Sequence, residues 1–213
     1  MDDLRLAALL CTRLCHDLIG PAGAVLNGVE LLSEDSGNID DEVIELIHHS
    51  AMETTRRLKY FRISLGLPAA GQSLASTRDI ADEYFAVSKI TLEWSDGFMA
   101  STTPAALIPI MLNLILCGAE ALPRGGRIAI DGAPEGDGFA LHIKASGEVI
   151  KADDDALTNL SGGGDLATIE ARGVAPYMAA RMVSAAGGNI TTTPSAGSMD
   201  FSVTLPAARP TNR

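Results

Sequence analysis

Basic side chains are scarce in this chain. Lys and Arg number 16 against 27 Asp and Glu, and the formal net charge is -11. Binding to a phosphate backbone is driven by Lys and Arg displacing counterions, so nucleic acid is excluded as a partner and a basic protein surface is the better match. Long apolar runs are missing too. No unbroken stretch reaches the roughly 18 to 20 residues of a membrane span, and Met1-Asp2-Asp3 lacks the positive region of a signal peptide, so no membrane partner is expected and the expected location is cytoplasmic. Cysteine is sparse, and Cys11, Cys15 and Cys117 are an odd number with no framework spacing, which fits reduced thiols rather than disulfides. What is present is apolar material: 46% of 213 residues are hydrophobic, enough for one ordinary domain or two small ones with a true core.

Two segments carry helical periodicity. At about 100° per residue, Leu4, Ala7, Cys11, Leu14, Leu18, Val25, Val29 and Leu32 fall on one stripe of a helix running from about Asp2 to Ser33. Ser33 to Asn38 breaks it. A second seam follows in Ile44, Ile47, Ala51, Thr54, Leu58, Phe61 and Leu65, introduced by Asp40-Asp41 and ended by Gly66 and Pro68. The pair makes an antiparallel hairpin. Two helices alone cannot cover both stripes, so a second identical hairpin is expected to complete a four-helix bundle, and the chain is expected to be a homodimer. Pro21 lies inside the first helix, where it removes the hydrogen bond to the carbonyl of Asp17 and usually bends the helix.

Residues Ala69 to Ser76 read as a linker, dividing a hairpin domain (residues 1–68) from an α/β domain (residues 77–213). In the latter the pattern predicts helices over Thr77–Ser88, Pro104–Leu122 and Val174–Ala186. Strands are predicted over Ile90–Trp94, Arg127–Asp131, Phe139–Ala145, Asn189–Thr193 and Phe201–Leu205, with turns at Pro123 to Gly126, Pro134 to Gly138, Gly187-Gly188 and Ala196-Gly197. The fold class is α plus a two-layer α/β sandwich.

His16 falls opposite the apolar stripe, among Arg5, Leu9, Thr12, Gly20, Gly23 and Asn27, where the two glycines leave room for a partner to come close. A neutral imidazole near pH 7 is a nucleophile, and phosphorylated on nitrogen it keeps a labile bond that can pass the group onward. Asp17 can orient the ring or handle its proton, and Arg13 can meet phosphate oxygens. A single exposed helical histidine is more often only a solvated residue. His48 and His49 lack this context and read as surface. Cys11, Cys15 and His16 do not converge, so no metal site is expected, and Ser161 to Asp165 is glycine-rich without the Lys of a phosphate-binding loop.

His16-Asp17-Leu18-Ile19-Gly20-Pro21 resembles the H-box of two-component histidine kinases, whose phosphoacceptor lies on the first helix of a dimerising hairpin. Asn113 to Ile128 resembles the N-box of the kinase ATP-binding (Bergerat) domain, and Arg181 to Ile190 with Gly197 to Pro206 resembles its closing helix and hairpin. Departures from that pattern stand at three nucleotide contacts. Cys117 replaces a magnesium-ligating asparagine, Ala145 falls where the adenine-reading aspartate belongs, and Pro176 enters the glycine-rich motif. An intact histidine beside a degenerate ATP domain, with the opening Leu6 to Ile19, resembles the ChpT-type histidine phosphotransferases of alphaproteobacteria.

The resemblance implies a relay without ATP or a cofactor of its own. A CckA-like hybrid-kinase receiver phosphorylates His16, which passes the group to CtrA- and CpdR-like response regulators, the receivers bringing Mg²⁺. Asp17 assists, and Arg13, Thr12, Gly20, Gly23 and Asn27 line the receiver-docking face. Two readings from other classes stand beside it: an ATP-dependent histidine kinase with an atypical nucleotide site, and a non-catalytic dimeric scaffold that binds receivers.

Overall fold

The structure, a computed structural model, describes residues 2–34, 41–66 and 71–207. Helix α1 (Asp2–Glu34) and helix α2 (Asp41–Ser64) form the expected hairpin. Their contact is close because Gly28 has no side chain: a Cβ there would sit 2.4 Å from Ile47 Cγ1. The expected break between the helices and the expected cap at Asp40 lie largely outside the described residues.

The remaining elements are helix α3 (Leu74–Phe85), strand β1 (Ile90–Trp94), helix α4 (Asp96–Met99), helix α5 (Leu107–Glu120), strands β2 (Gly126–Glu135) and β3 (Gly138–Ser146), and helix α6 (Asp154–Leu160). They end with a 3-10 turn (Ala171–Gly173), helix α7 (Val174–Ala185) and strands β4 (Asn189–Ser195) and β5 (Ser198–Leu205). The sheet order is β1-β2-β3-β5-β4, with β1 parallel to β2 and the other pairs antiparallel. Period-two alternation sets its faces. Phe139, Leu141, Ile143 and Ala145 of β3 are buried while His142 and Lys144 are exposed. Helix α5 is buried on every side from Leu107 to Gly118, which is why its sequence is almost continuously apolar. Gly118 brings it down onto the sheet, since a Cβ there would already lie 3.3 Å from that of Ala145.

Several boundaries differ from the sequence expectation, each for a local reason. Helix α3 starts three residues inside the expected linker because Ser73 and Ser76 form a reciprocal capping box. Strands β2 and β3 run on to a two-residue turn, with Glu135 paired to Gly138 and Gly136 at a φ of 57°. Helices α4 and α6 are unannounced by periodicity, being too short to show one. Each is instead nucleated by a cap, Ser95 accepting from Phe98 N and Asp153 from Asp155 N and Ala156 N.

Hairpin and sheet layer share one core. Tyr60 and Phe61 of α2 are buried in it, Tyr60 donates its hydroxyl hydrogen to Leu112 O at 2.7 Å, and Asn113 donates from Nδ2 to Ser64 O at 2.6 Å. The expected apolar stripe is only half used. Leu14, Leu18, Val25 and Leu32 are partly buried, whereas Leu4 is 77% and Val29 50% exposed, and Cys11 is exposed rather than buried. The stripe is wider than one neighbouring helix can cover. The membrane expectation also needs amending: Asp2–Ser33 is long and apolar enough, by length and composition, to cross a bilayer. Isolated polar residues such as Thr12, His16 and Asp17 interrupt its apolar runs without making the helix polar as a whole.

Candidate functional site

His16 lies midway along α1 with its side chain 69% exposed. Its Nδ1 is 2.9 Å from Asp17 Oδ1. A carboxylate only accepts, so the hydrogen of that bond sits on Nδ1; in the neutral ring this puts the lone pair on Nε2, which has no partner among the described residues. Asp17 uses both oxygens, since Oδ2 accepts from Arg13 Nε at 2.8 Å. Arg13 in turn donates from Nη2 to Glu120 Oε1 of α5, also at 2.8 Å. Burial works against the Arg13 charge, but the carboxylates of Glu120 and Asp17 more than offset it and raise its pKa. Burial pushes the Glu120 carboxyl up, and Arg13 opposes that rise.

Pro21 has a consequence that reaches across the hairpin. In an unbroken helix the Asp17 carbonyl would accept from the N–H of residue 21, and proline has none. The helix nevertheless continues through Pro21, and the stranded carbonyl accepts instead from Arg57 Nη1 of α2. Arg57 thus ties the second helix to the backbone of the residue beside His16. Replacing Arg57 by alanine is expected to cost about 1–2 kcal/mol, the range for leaving a part-buried acceptor unpaired. In a Pro21→Ala background the residue-21 N–H can take the carbonyl, so the same replacement should cost about 1 kcal/mol less. A urea double-mutant cycle measures this; equal losses in both backgrounds would place the role of Arg57 elsewhere.

The other expected docking residues divide into two groups. Thr12, Gly20 and Asn27 are exposed on the same side of α1 as His16, Gly23 is half-buried, and a Cβ on Gly20 or Gly23 would meet nothing within 4 Å. Arg13 differs. Its side chain is only 12% exposed and faces the α/β layer, so it reaches His16 through Asp17 rather than standing on the open face. His48 and His49 are exposed on α2. Cys11 and Cys15 are exposed and Cys117 is buried; among the described residues no cluster of three or more His, Cys, Asp or Glu could hold a metal ion.

Beside His16, between α1 and the sheet layer, lies a cavity of about 780 Å³ whose lining includes Arg13, Asp17, Cys117, Glu120, Lys151 and Arg172. This is where the sequence resemblance locates a nucleotide. Cys117 presents a thiol whose pKa burial pushes well above its ordinary value, a neutral soft group where a hard cation needs oxygen. Ala145 is fully buried in the sheet and carries no carboxylate. Pro176 is buried in the first turn of α7 without an amide hydrogen to offer. Gly163 and Gly164, after α6 in the glycine-rich segment, line the same cavity.

Sequence reasoning missed Glu120 and Arg57. Glu120 left no signal, being over 100 residues from His16 in the chain. Arg57 left one: Pro21 leaves an acceptor on Asp17, and a basic residue on the facing helix is the natural donor.

An exposed imidazole held on a helical hairpin and hydrogen-bonded to a carboxylate fits the class of histidine phosphotransfer proteins. Residues 74–197 match the family model of the histidine phosphotransferase C-terminal domain. The chain is 33% identical over 207 residues to the protein phosphotransferase ChpT of Brucella abortus (strain 2308), covering 95% of this chain and 96% of that one. It superposes on the 1.7 Å structure of a bacterial phosphotransferase with a TM-score of 0.79 at 32% identity, covering 94% and 96% of the two chains. The histidine kinase AdeS of Acinetobacter baumannii shares the fold at a TM-score of 0.51 and 13% identity, covering 91% of this chain and 98% of that one. The chain belongs to the histidine phosphotransferase family of ChpT type, proteins of the phosphorelay.

Proposed function

We propose that His16 is the residue that carries the phosphoryl group, taking it from the receiver domain of a hybrid kinase of the CckA kind and delivering it to response regulators of the CtrA and CpdR kind. The observation that carries this reading is the pairing of Nδ1 with Asp17, which leaves Nε2 as the free nucleophile on a ring that is 69% exposed. In the forward step the Nε2 lone pair attacks the phosphorus of an aspartyl phosphate. The N–P bond forms, the acyl P–O bond breaks, and the receiver recovers its carboxylate. Nδ1 retains its hydrogen, so the phosphorylated ring is cationic and Asp17 balances its charge. The second transfer is the reverse of the first on another receiver. The receiver is expected to bring Mg²⁺ and its own aspartate, so this chain needs only a positioned imidazole and a docking face of Thr12, Gly20, Gly23 and Asn27.

The unused half of the apolar stripe supports a homodimer. On α1 Leu4 and Val29, and on the α2 seam Ile44 and Leu58, are exposed in the single chain, with Leu26 exposed beside the α1 stripe. A second hairpin laid against them gives a four-helix bundle and also accounts for the apolarity of α1 without a membrane. Residues 1–68 then serve dimerisation and transfer, and residues 77–213, with their altered nucleotide contacts, serve docking in a cytoplasmic protein that binds no nucleic acid.

The test is the phosphoryl donor. Incubated with labelled Mg-ATP alone the protein should take up nothing; with a phosphorylated receiver it should be labelled within the time of mixing. Label from ATP alone would favour the kinase reading, and receiver binding without transfer the scaffold.

A further inference from the structure

We propose that Glu120 is a positioning residue for the phosphoacceptor: from the α/β layer it holds Arg13, through Arg13 it holds Asp17, and it thereby fixes the His16 ring with Nε2 free. The proposal rests on the reading of His16 above. Three contacts of 2.8, 2.8 and 2.9 Å join the four side chains, Glu120 to Arg13, Arg13 to Asp17 and Asp17 to His16. Side-chain exposure falls from 69% at His16 to 16% at Asp17 and 12% at Arg13, so the middle of the chain is shielded from solvent and salt where its ends are not.

The geometry of the guanidinium explains why the far end matters. Arg13 spends Nε on Asp17 and Nη2 on Glu120. Two contacts to one rigid planar fork set its plane, whereas a single contact leaves it free to turn. Asp17 is held in the same way, by Arg13 on Oδ2 and His16 on Oδ1, so its rotamer is fixed only while Arg13 stays put. Without the Glu120 charge, the whole attraction of Arg13 falls on Asp17 and draws the carboxylate away from Nδ1. The imidazole then turns, and its hydrogen is shared between the two ring nitrogens. Because α5 belongs to the sheet layer and α1 to the hairpin, the reactivity of His16 depends on the layer being seated against the hairpin. The altered ATP domain thus acts on the histidine by contact rather than by delivering phosphate.

Glu120→Gln tests this in the full-length protein, since the amide keeps an acceptor oxygen toward Arg13 and loses only the charge. Phosphoryl uptake from a phosphorylated receiver should slow about five- to tenfold, with the urea midpoint unchanged. The ¹⁵N signals of the neutral ring should shift from a pure Nδ1–H form toward a mixture. Glu120→Ala should slow uptake at least as much. Wild-type uptake by Glu120→Gln, whether or not Glu120→Ala is slow, would reduce Glu120 to an interlayer contact and overturn the proposal, as would unchanged ¹⁵N signals in both variants. A His16→Ala blank run alongside separates the two readings: label on it would refute His16 as the acceptor, whatever the Glu120 variants do.

Discussion

Replacing His16 by alanine is expected to abolish phosphoryl uptake from a receiver while leaving the fold intact. The side chain is 69% exposed and its one hydrogen bond is to the neighbouring residue, so the stability change should stay within about 0.5 kcal/mol. Activity should fall to background, because neither His48 nor His49 can substitute. Both are exposed on α2 and lack the adjoining aspartate that His16 has in Asp17. Their alanine variants are the controls and should transfer at the wild-type rate. The measurement is labelled-receiver transfer with a urea melt on the same samples. Retained label in His16→Ala would move the acceptor to another residue, whereas lost label with a lowered melt would mean only that the variant unfolds.

Asp17→Asn should give the second largest loss, about 100-fold in the transfer rate, at the lower end of what a positioned proton-handling group contributes. The amide oxygen can still accept from Nδ1, so the ring is not released outright. Two things change. The cation formed on the phosphorylated imidazole has no counter-charge beside it, and Arg13 loses one of the two carboxylates it meets at 2.8 Å. With Asp17 only 16% exposed, that missing charge is poorly replaced by solvent. Binding of the receiver should be little affected, since the exposed face of Thr12, Gly20 and Asn27 is untouched. Rapid-quench transfer combined with a receiver-binding isotherm separates these effects. A variant that transfers within twofold of wild type would reduce Asp17 to a bystander.

What the sequence discloses is what depends on neighbours in the chain. The hairpin, the five strands and the pairing of His16 with Asp17 all follow from periodicity, turn residues and adjacency. The width of the α1 stripe carried more than one chain can use, and the exposure of Leu4 and Val29 is the structural trace of that surplus. Short capped helices such as α4 and α6 escaped because a helix of one or two turns shows no period. The inward turn of Arg13 escaped because its partner, Glu120, lies on another layer, and no local rule links residues so far apart. Arg57 stands between these cases. Pro21 announces a carbonyl in need of a donor, but only the register of α2 against α1 says which residue supplies it.

The central claim is that Nε2 of His16 is the atom that carries the phosphoryl group, with Nδ1 committed to Asp17. Phosphorylation by a receiver followed by ³¹P and ¹⁵N NMR of the intact protein reads this directly. A single phosphohistidine resonance coupled to Nε2, absent in His16→Ala, is the predicted result. A phosphoryl group on Nδ1, or on any other side chain, would contradict it.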